Sequence, residues 1–136
     1  MIKLIVGNKG SGKTKTLIDM INKAAKTTSG NIVCIEKGLK MTYDIDYSVR
    51  LIDIESYSVE GFDAFYGFIA GICAGNYDIT EIFIDATLKI GGRDLNAFAA
   101  MIEKLEKLTA ENKVEMVFTV SCDRSELPES VLSYII

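Results

Sequence analysis

Apolar residues recur along this chain with two alternating periods. Dense, short, mostly β-branched runs predict strands at Ile2–Val6, Asn31–Ile35, Val49–Ile54, Ile82–Ile84 and Glu115–Ser121. Between them, apolar positions spaced three and four apart predict helices. The first covers 13–26, with Leu17, Ile18, Ile21, Ala24 and Ala25 on one face. A second covers 60–75, carried by Phe62, Phe65, Ile69, Ile72 and Cys73 and stopped at Gly75-Asn76. A third runs from the capping residue Asp94 to about Glu111, with Leu95, Phe98, Ile102, Leu105 and Leu108 as its inner stripe. Residues 37–48 show neither period and predict a loop. Gly91-Gly92 also marks a loop, Glu126-Leu127-Pro128 opens a short helix, and Leu132–Ile136 reads as a last strand. Within 49–54, Val49, Leu51 and Asp53 fall on one side, and Ile52 and Ile54 on the other. Alternation of this kind predicts an α/β fold: three layers, a mostly parallel sheet with helices on both faces.

One break in the apolar pattern carries chemistry. Directly after the first strand stands Gly7-Asn8-Lys9-Gly10-Ser11-Gly12-Lys13-Thr14, followed by Lys15 and the first helix. This is the spacing G-x-x-x-x-G-K-[ST], in which main-chain N–H groups at a helix N-terminus hold an anion. Given glycine's usual share, a chain this long meets the pattern by chance on the order of once in a few hundred. The flanking strand and helix make chance rarer. The pattern predicts that Gly7 through Lys15 bind nucleotide phosphates, with Lys13 as a point charge and the Thr14 hydroxyl as a ligand to Mg²⁺.

In a parallel sheet the ligand lies at the carboxyl ends of the strands. Three polar strand ends therefore belong together: the loop at 7–14, Asp85 and Ser121. Asp85 closes an apolar strand and is placed to hold the magnesium shell opposite Thr14. Ser121 closes its strand with a polar side chain, where P-loop NTPases, which the loop and strand resemble, often sense the γ-phosphate; the alternative is a plain turn. Ala86 follows Asp85 and cannot accept a proton. Glu36, at the end of the second strand, is then the candidate base, against the plainer reading of a solvated strand-end charge. Arg93, beside Gly91-Gly92, either neutralises transition-state charge, engages a neighbouring subunit's nucleotide, or is a surface residue next to a helix cap. Lys9 and Lys37 are near enough to help electrostatically. The aromatic residues Phe62, Phe65, Tyr66 and Phe68 follow helical spacing and read as core rather than a base-stacking box.

Composition narrows the class. The 136 residues suit one domain, and 49% hydrophobic content is ample for a core. A net charge of −4, with only Arg50, Arg93 and Arg124 as scattered arginines, gives no sign of nucleic-acid binding. No apolar run reaches membrane-spanning length and no signal peptide is visible. There is no histidine, and Cys34, Cys73 and Cys122 form no CxxC pair, which argues against zinc. Three unpaired cysteines fit a reducing, cytoplasmic setting.

The chain resembles a minimal P-loop NTPase core, nearer the additional-strand, RecA-like side than the kinase–GTPase side. The resemblance rests on Gly7, Gly10, Gly12, Lys13 and Thr14 and on the strand ending at Asp85. It is similar to the short stand-alone bacterial ATP-binding proteins labelled twitching-motility-type ATPases, although it lacks the second domain and the histidine box of the full motors. The resemblance implies Mg²⁺ and ATP as ligands, and self-association or docking on a protein partner. In many such enzymes a glutamate follows the strand-end aspartate and orients water; with Ala86 in its place, hydrolysis is expected to be slow, or dependent on another group or a partner. The guanine-reading motif Asn-Lys-x-Asp is missing, since Asn112-Lys113 continues as Val114-Glu115, so ATP is favoured over GTP. A partial likeness to type II thymidine kinases stops short of their glutamate and cysteine pairs.

Overall fold

A computed structural model describes residues 1–136. Its elements, in order, are β1 (Ile2–Gly7), α1 (Lys13–Thr27), β2 (Asn31–Glu36), β3 (Arg50–Asp53), α2 (Phe62–Gly75), β4 (Ile79–Asp85), α3 (Thr87–Gly91), α4 (Leu95–Asn112) and β5 (Glu115–Ser121). Turns of 3-10 helix cover Ile54–Tyr57, Arg124–Glu126 and Glu129–Tyr134. The five strands form one sheet in the order β1-β5-β4-β2-β3, and every pairing is parallel. The last strand in sequence is thus inserted between β1 and β4.

The two faces of the sheet are covered differently. Ile5, Ile32, Cys34, Phe83 and Val117 pack with Leu17 and Ile21 of α1 on one face. Leu4, Val33, Ile35, Ile82, Ile84, Met116 and Phe118 pack on the other with Phe65 and Ile69 of α2 and Phe98, Ile102 and Leu105 of α4. Each fully buried side chain of this size contributes about 1.5–3 kcal/mol over leaving it in water. The split of the β3 region holds, with Val49 and Leu51 on the α1 side and Ile52 and Ile54 on the other. Phe62 and Phe65 are buried in the core, and Tyr66 and Phe68 pack against its edge. The start of α4 is capped by Asp94, whose carboxylate accepts from the N–H groups of Asn96 and Ala97 at 3.1 Å each.

Two expected elements differ. Leu132–Ile136 does not become a strand: Glu129–Tyr134 winds into 3-10 turns after Pro128, and only Ile135 bridges to Leu4 at the outer edge of β1. The segment after Asp85 is not simply a loop. Thr87–Gly91 forms the short helix α3, buried through Thr87, Leu88 and Ile90, and Gly92 with φ 106° ends it. No helix is long and apolar enough to cross a membrane.

Candidate nucleotide-phosphate site

On the α1-facing side, four of the five strands switch from apolar to polar at their carboxyl ends. Leu51, Cys34, Phe83 and Val117 precede, by two positions, Asp53, Glu36, Asp85 and Thr119. A two-residue step keeps the same face. Parallel register then aligns Glu36 with Asp53 on one side and with Asp85 on the other. Gly7 aligns with Ser121. Apolar packing under α1 therefore gives way to a polar rim along one edge of the sheet, where α1 begins.

The 8–12 loop turns over this rim. Gly10 and Gly12 have φ of +86° and +87°, a left-handed conformation that side-chain-bearing residues rarely adopt. Within the loop only the Ser11 N–H finds a main-chain acceptor, the Asn8 carbonyl at 3.1 Å. The N–H groups of Gly10, Gly12, Lys13 and Thr14 donate to no protein atom. Helix α1 has no side-chain cap and no acid in its first turn. It carries Lys13 and Lys15 there, cations at the positive end of the helix dipole, each unfavourable by about 0.3–1 kcal/mol. A bound anion reverses that sign and takes up the free amides.

Lys13 is buried even so, with 8% of its surface exposed. Its ammonium donates to the Asn8 carbonyl at 3.0 Å and approaches Ser11 Oγ at 3.5 Å, which draws the charge across the loop. The loop opens into a cleft of about 810 Å³. Lys9, Lys13, Lys15, Lys40, Lys89 and Arg93 line it, and Asp85 is the only carboxylate that does. In a protein of net charge −4 such a concentration of cations is local, and a cleft focuses its field.

Asp85 collects hydroxyls. The Thr14 hydroxyl lies 3.5 and 3.4 Å from its two oxygens, and the Thr119 hydroxyl donates to Oδ1. Thr14 and Asp85 together offer oxygen donors only, the set that suits a hard cation such as Mg²⁺. No group of three or more His, Cys, Asp or Glu comes together in the chain, so Thr14 and Asp85 are two oxygen donors and not a complete metal site by themselves. The peptide between Asp85 and Ala86 is cis.

Of the other candidates, Ser121 and Arg93 reach the cleft, and Glu36 does not. Arg93 follows Gly92, and its Nη2 donates to the Ser121 carbonyl at 3.2 Å, which joins the start of α4 to the end of β5. Beyond Ser121, Asp123 caps the turn Arg124–Glu126 in a reciprocal box with Glu126. Hydrogen bonds from the Ser125 N–H and hydroxyl hold the Asp123 carboxyl below the usual range.

Glu36 is 2% exposed and accepts the Lys40 N–H at 2.8 Å and the Met41 N–H at 3.4 Å. Its oxygens are committed to the main chain of the loop that follows and do not line the cleft. Burial raises its proton affinity, the two N–H bonds oppose that, and the neighbouring Asp85 and Asp53 carboxyls add to the rise. Burial also pushes up the Cys34 thiol, as do the charges of Glu36 and Asp85. All three cysteines are free and buried. Lys37 stands outside the cleft, and its ammonium donates to the Lys89 carbonyl at 3.3 Å.

Three site residues escape the sequence reading: Thr119, Lys40 and Lys89. Thr119 had a signal, since it shares a strand face with Ser121. The lysines had none. No protein-family model matches the sequence, and no curated protein matches it either.

Proposed function

We propose that this chain is a P-loop protein that binds Mg²⁺·ATP at the carboxyl edge of its sheet and hydrolyses it slowly when alone. One observation carries the reading. A loop of unpartnered amides starts α1, beside a buried lysine, in a cleft with six cationic side chains and one carboxylate. The insertion of β5 between β1 and β4 supports the additional-strand branch of the family.

In this reading the amides of Gly10, Gly12, Lys13 and Thr14 and the Lys13 ammonium bind the β- and γ-phosphate oxygens and stabilise the charge that develops on them. Thr14 and Asp85 would hold Mg²⁺, which supplies charge neutralisation between those phosphates when bound. Thr119 fixes the Asp85 carboxylate. Arg93 and Ser121 border the same space. Water attacks the γ-phosphorus, the bond to the β,γ-bridging oxygen breaks, and ADP leaves.

The proton on that water has no good acceptor among the cleft's side chains. Asp85 is the only carboxylate there, Ala86 follows it, and Glu36 is bound to main-chain amides. This favours a second reading, a nucleotide-dependent switch or binding module with negligible hydrolysis. A phosphotransferase to a small acceptor is a third.

ATP turnover with Mg²⁺ at several protein concentrations, beside a binding titration, separates them. Slow turnover at constant specific rate supports the first reading, and a steep rise with concentration supports activation by assembly. Binding without turnover supports the switch, and turnover that requires an added acceptor supports phosphotransfer. Absence of nucleotide binding contradicts all three.

A further inference from the structure

Lys40, in the segment after β2, and Lys89, on α3 after β4, line the cleft opposite the phosphate loop. Neither is in an ion pair; the structure's one ion pair, Lys3–Glu115, sits at the amino ends of β1 and β5. We propose that Lys40 and Lys89 are specificity residues that contact the terminal phosphate of a bound nucleoside triphosphate and so separate triphosphate from diphosphate.

The proposal rests on the nucleotide reading above and adds what decides its selectivity. Asp85 ends β4, two strands from β1 and roughly 10 Å away at about 4.8 Å per strand. A phosphate chain held on the loop turns the outer oxygens of its last phosphate toward the far wall, where both lysines line the cleft. A diphosphate stops short and leaves both ammonium groups without a partner.

The far wall is built into the frame. Glu36 holds the Lys40 N–H, and the next side chain, Met41, is buried in the cluster under α1. Asn22 of α1 bonds Asp44 and Asp46, at 2.8 and 2.9 Å, so the segment that bears Lys40 is tied to the helix that bears the phosphate loop. The Lys37 ammonium fastens the same segment to the Lys89 carbonyl. Lys40 and Lys89 therefore stand on one connected wall.

The test is calorimetric titration of the full chain with Mg²⁺·ATP and Mg²⁺·ADP at fixed ionic strength. Wild type, Lys40→Gln, Lys89→Gln, the double variant and Lys40→Arg are compared. Wild type is expected to prefer ATP by about tenfold or more, the scale of one charge-assisted contact. Each Gln variant should lower that preference with ADP affinity unchanged, the double variant should lower it further, and Lys40→Arg should keep it. An undiminished preference in the double variant overturns the proposal and leaves nucleotide binding standing. An equal loss for both nucleotides overturns it too, since the lysines then act only through the general field. If wild type binds neither nucleotide, the underlying reading fails first.

Discussion

The Thr119 hydroxyl donates to the Asp85 carboxylate across the seam between β4 and β5. Thr119 is fully buried, and Asp85 also faces the Thr14 hydroxyl. The inserted strand thus does more than widen the sheet, because it orients the one acid of the cleft. Thr119→Val keeps the shape and removes the donor. It should cost about 1 kcal/mol in urea unfolding. The Mg²⁺ concentration that half-saturates ATP binding should rise about tenfold, as when a metal ligand loses its supporting bond. An unchanged Mg²⁺ requirement contradicts the orienting role.

Gly12 sits at φ +87°, immediately before α1. An added Cβ meets no atom there, so the penalty of Gly12→Ala is conformational alone. That penalty is roughly 1–2 kcal/mol for a left-handed residue. The variant should lose that much stability or relax the loop. In either case ATP affinity should fall, read by titration against the wild type.

A Cβ on Gly91 lies 2.1 to 2.6 Å from ring atoms of Phe62, because α3 packs hard against α2. Gly91→Ala is expected to destabilise by about 1–3 kcal/mol, the range of overpacked cores. Combining it with Phe62→Leu should recover part of that loss, a coupling that a double-mutant cycle measures. Additive losses contradict the contact.

Glu36 holds its proton more tightly in the folded chain than an ordinary glutamate does. Its contribution to stability is therefore fully present below the unfolded value, about 4.3, and is lost as pH rises through the higher folded value. The unfolding free energy of wild type minus that of Glu36→Gln should decline as pH climbs above the ordinary glutamate range. Denaturant titrations at stepped pH give the slope, and a flat or rising difference contradicts it.

Much of this arrangement is legible in the chain because its chemistry is local. Glycine spacing after an apolar run marks the loop, and a period of two carries Asp53, Glu36, Asp85 and Thr119 to one face. Where tertiary contacts decide, the chain is silent or misleading. Leu132–Ile136 has strand composition, yet after Pro128 it turns in 3-10 geometry and meets the sheet only at its end, through the Ile135 bridge to Leu4 and the Ile136 N–H on the Leu4 carbonyl. Glu36 stands at the right strand end for a base, yet its carboxylate folds over the next loop to take two N–H groups. Lys40 lies in the one stretch without periodicity, and its place follows from those bonds. Arg93 follows two glycines that suggest free motion, but its guanidinium is bonded to the Ser121 carbonyl.

The anion cradle between Gly7 and Thr14 is tested most directly by calorimetric titration of wild type, Lys13→Ala and Glu36→Gln with Mg²⁺·ATP. Saturable binding is expected for wild type, with affinity lowered about 10- to 100-fold in Lys13→Ala, the worth of one charge-assisted contact, and far less in Glu36→Gln. No heat with wild type, or equal affinities for wild type and Lys13→Ala, would contradict the site.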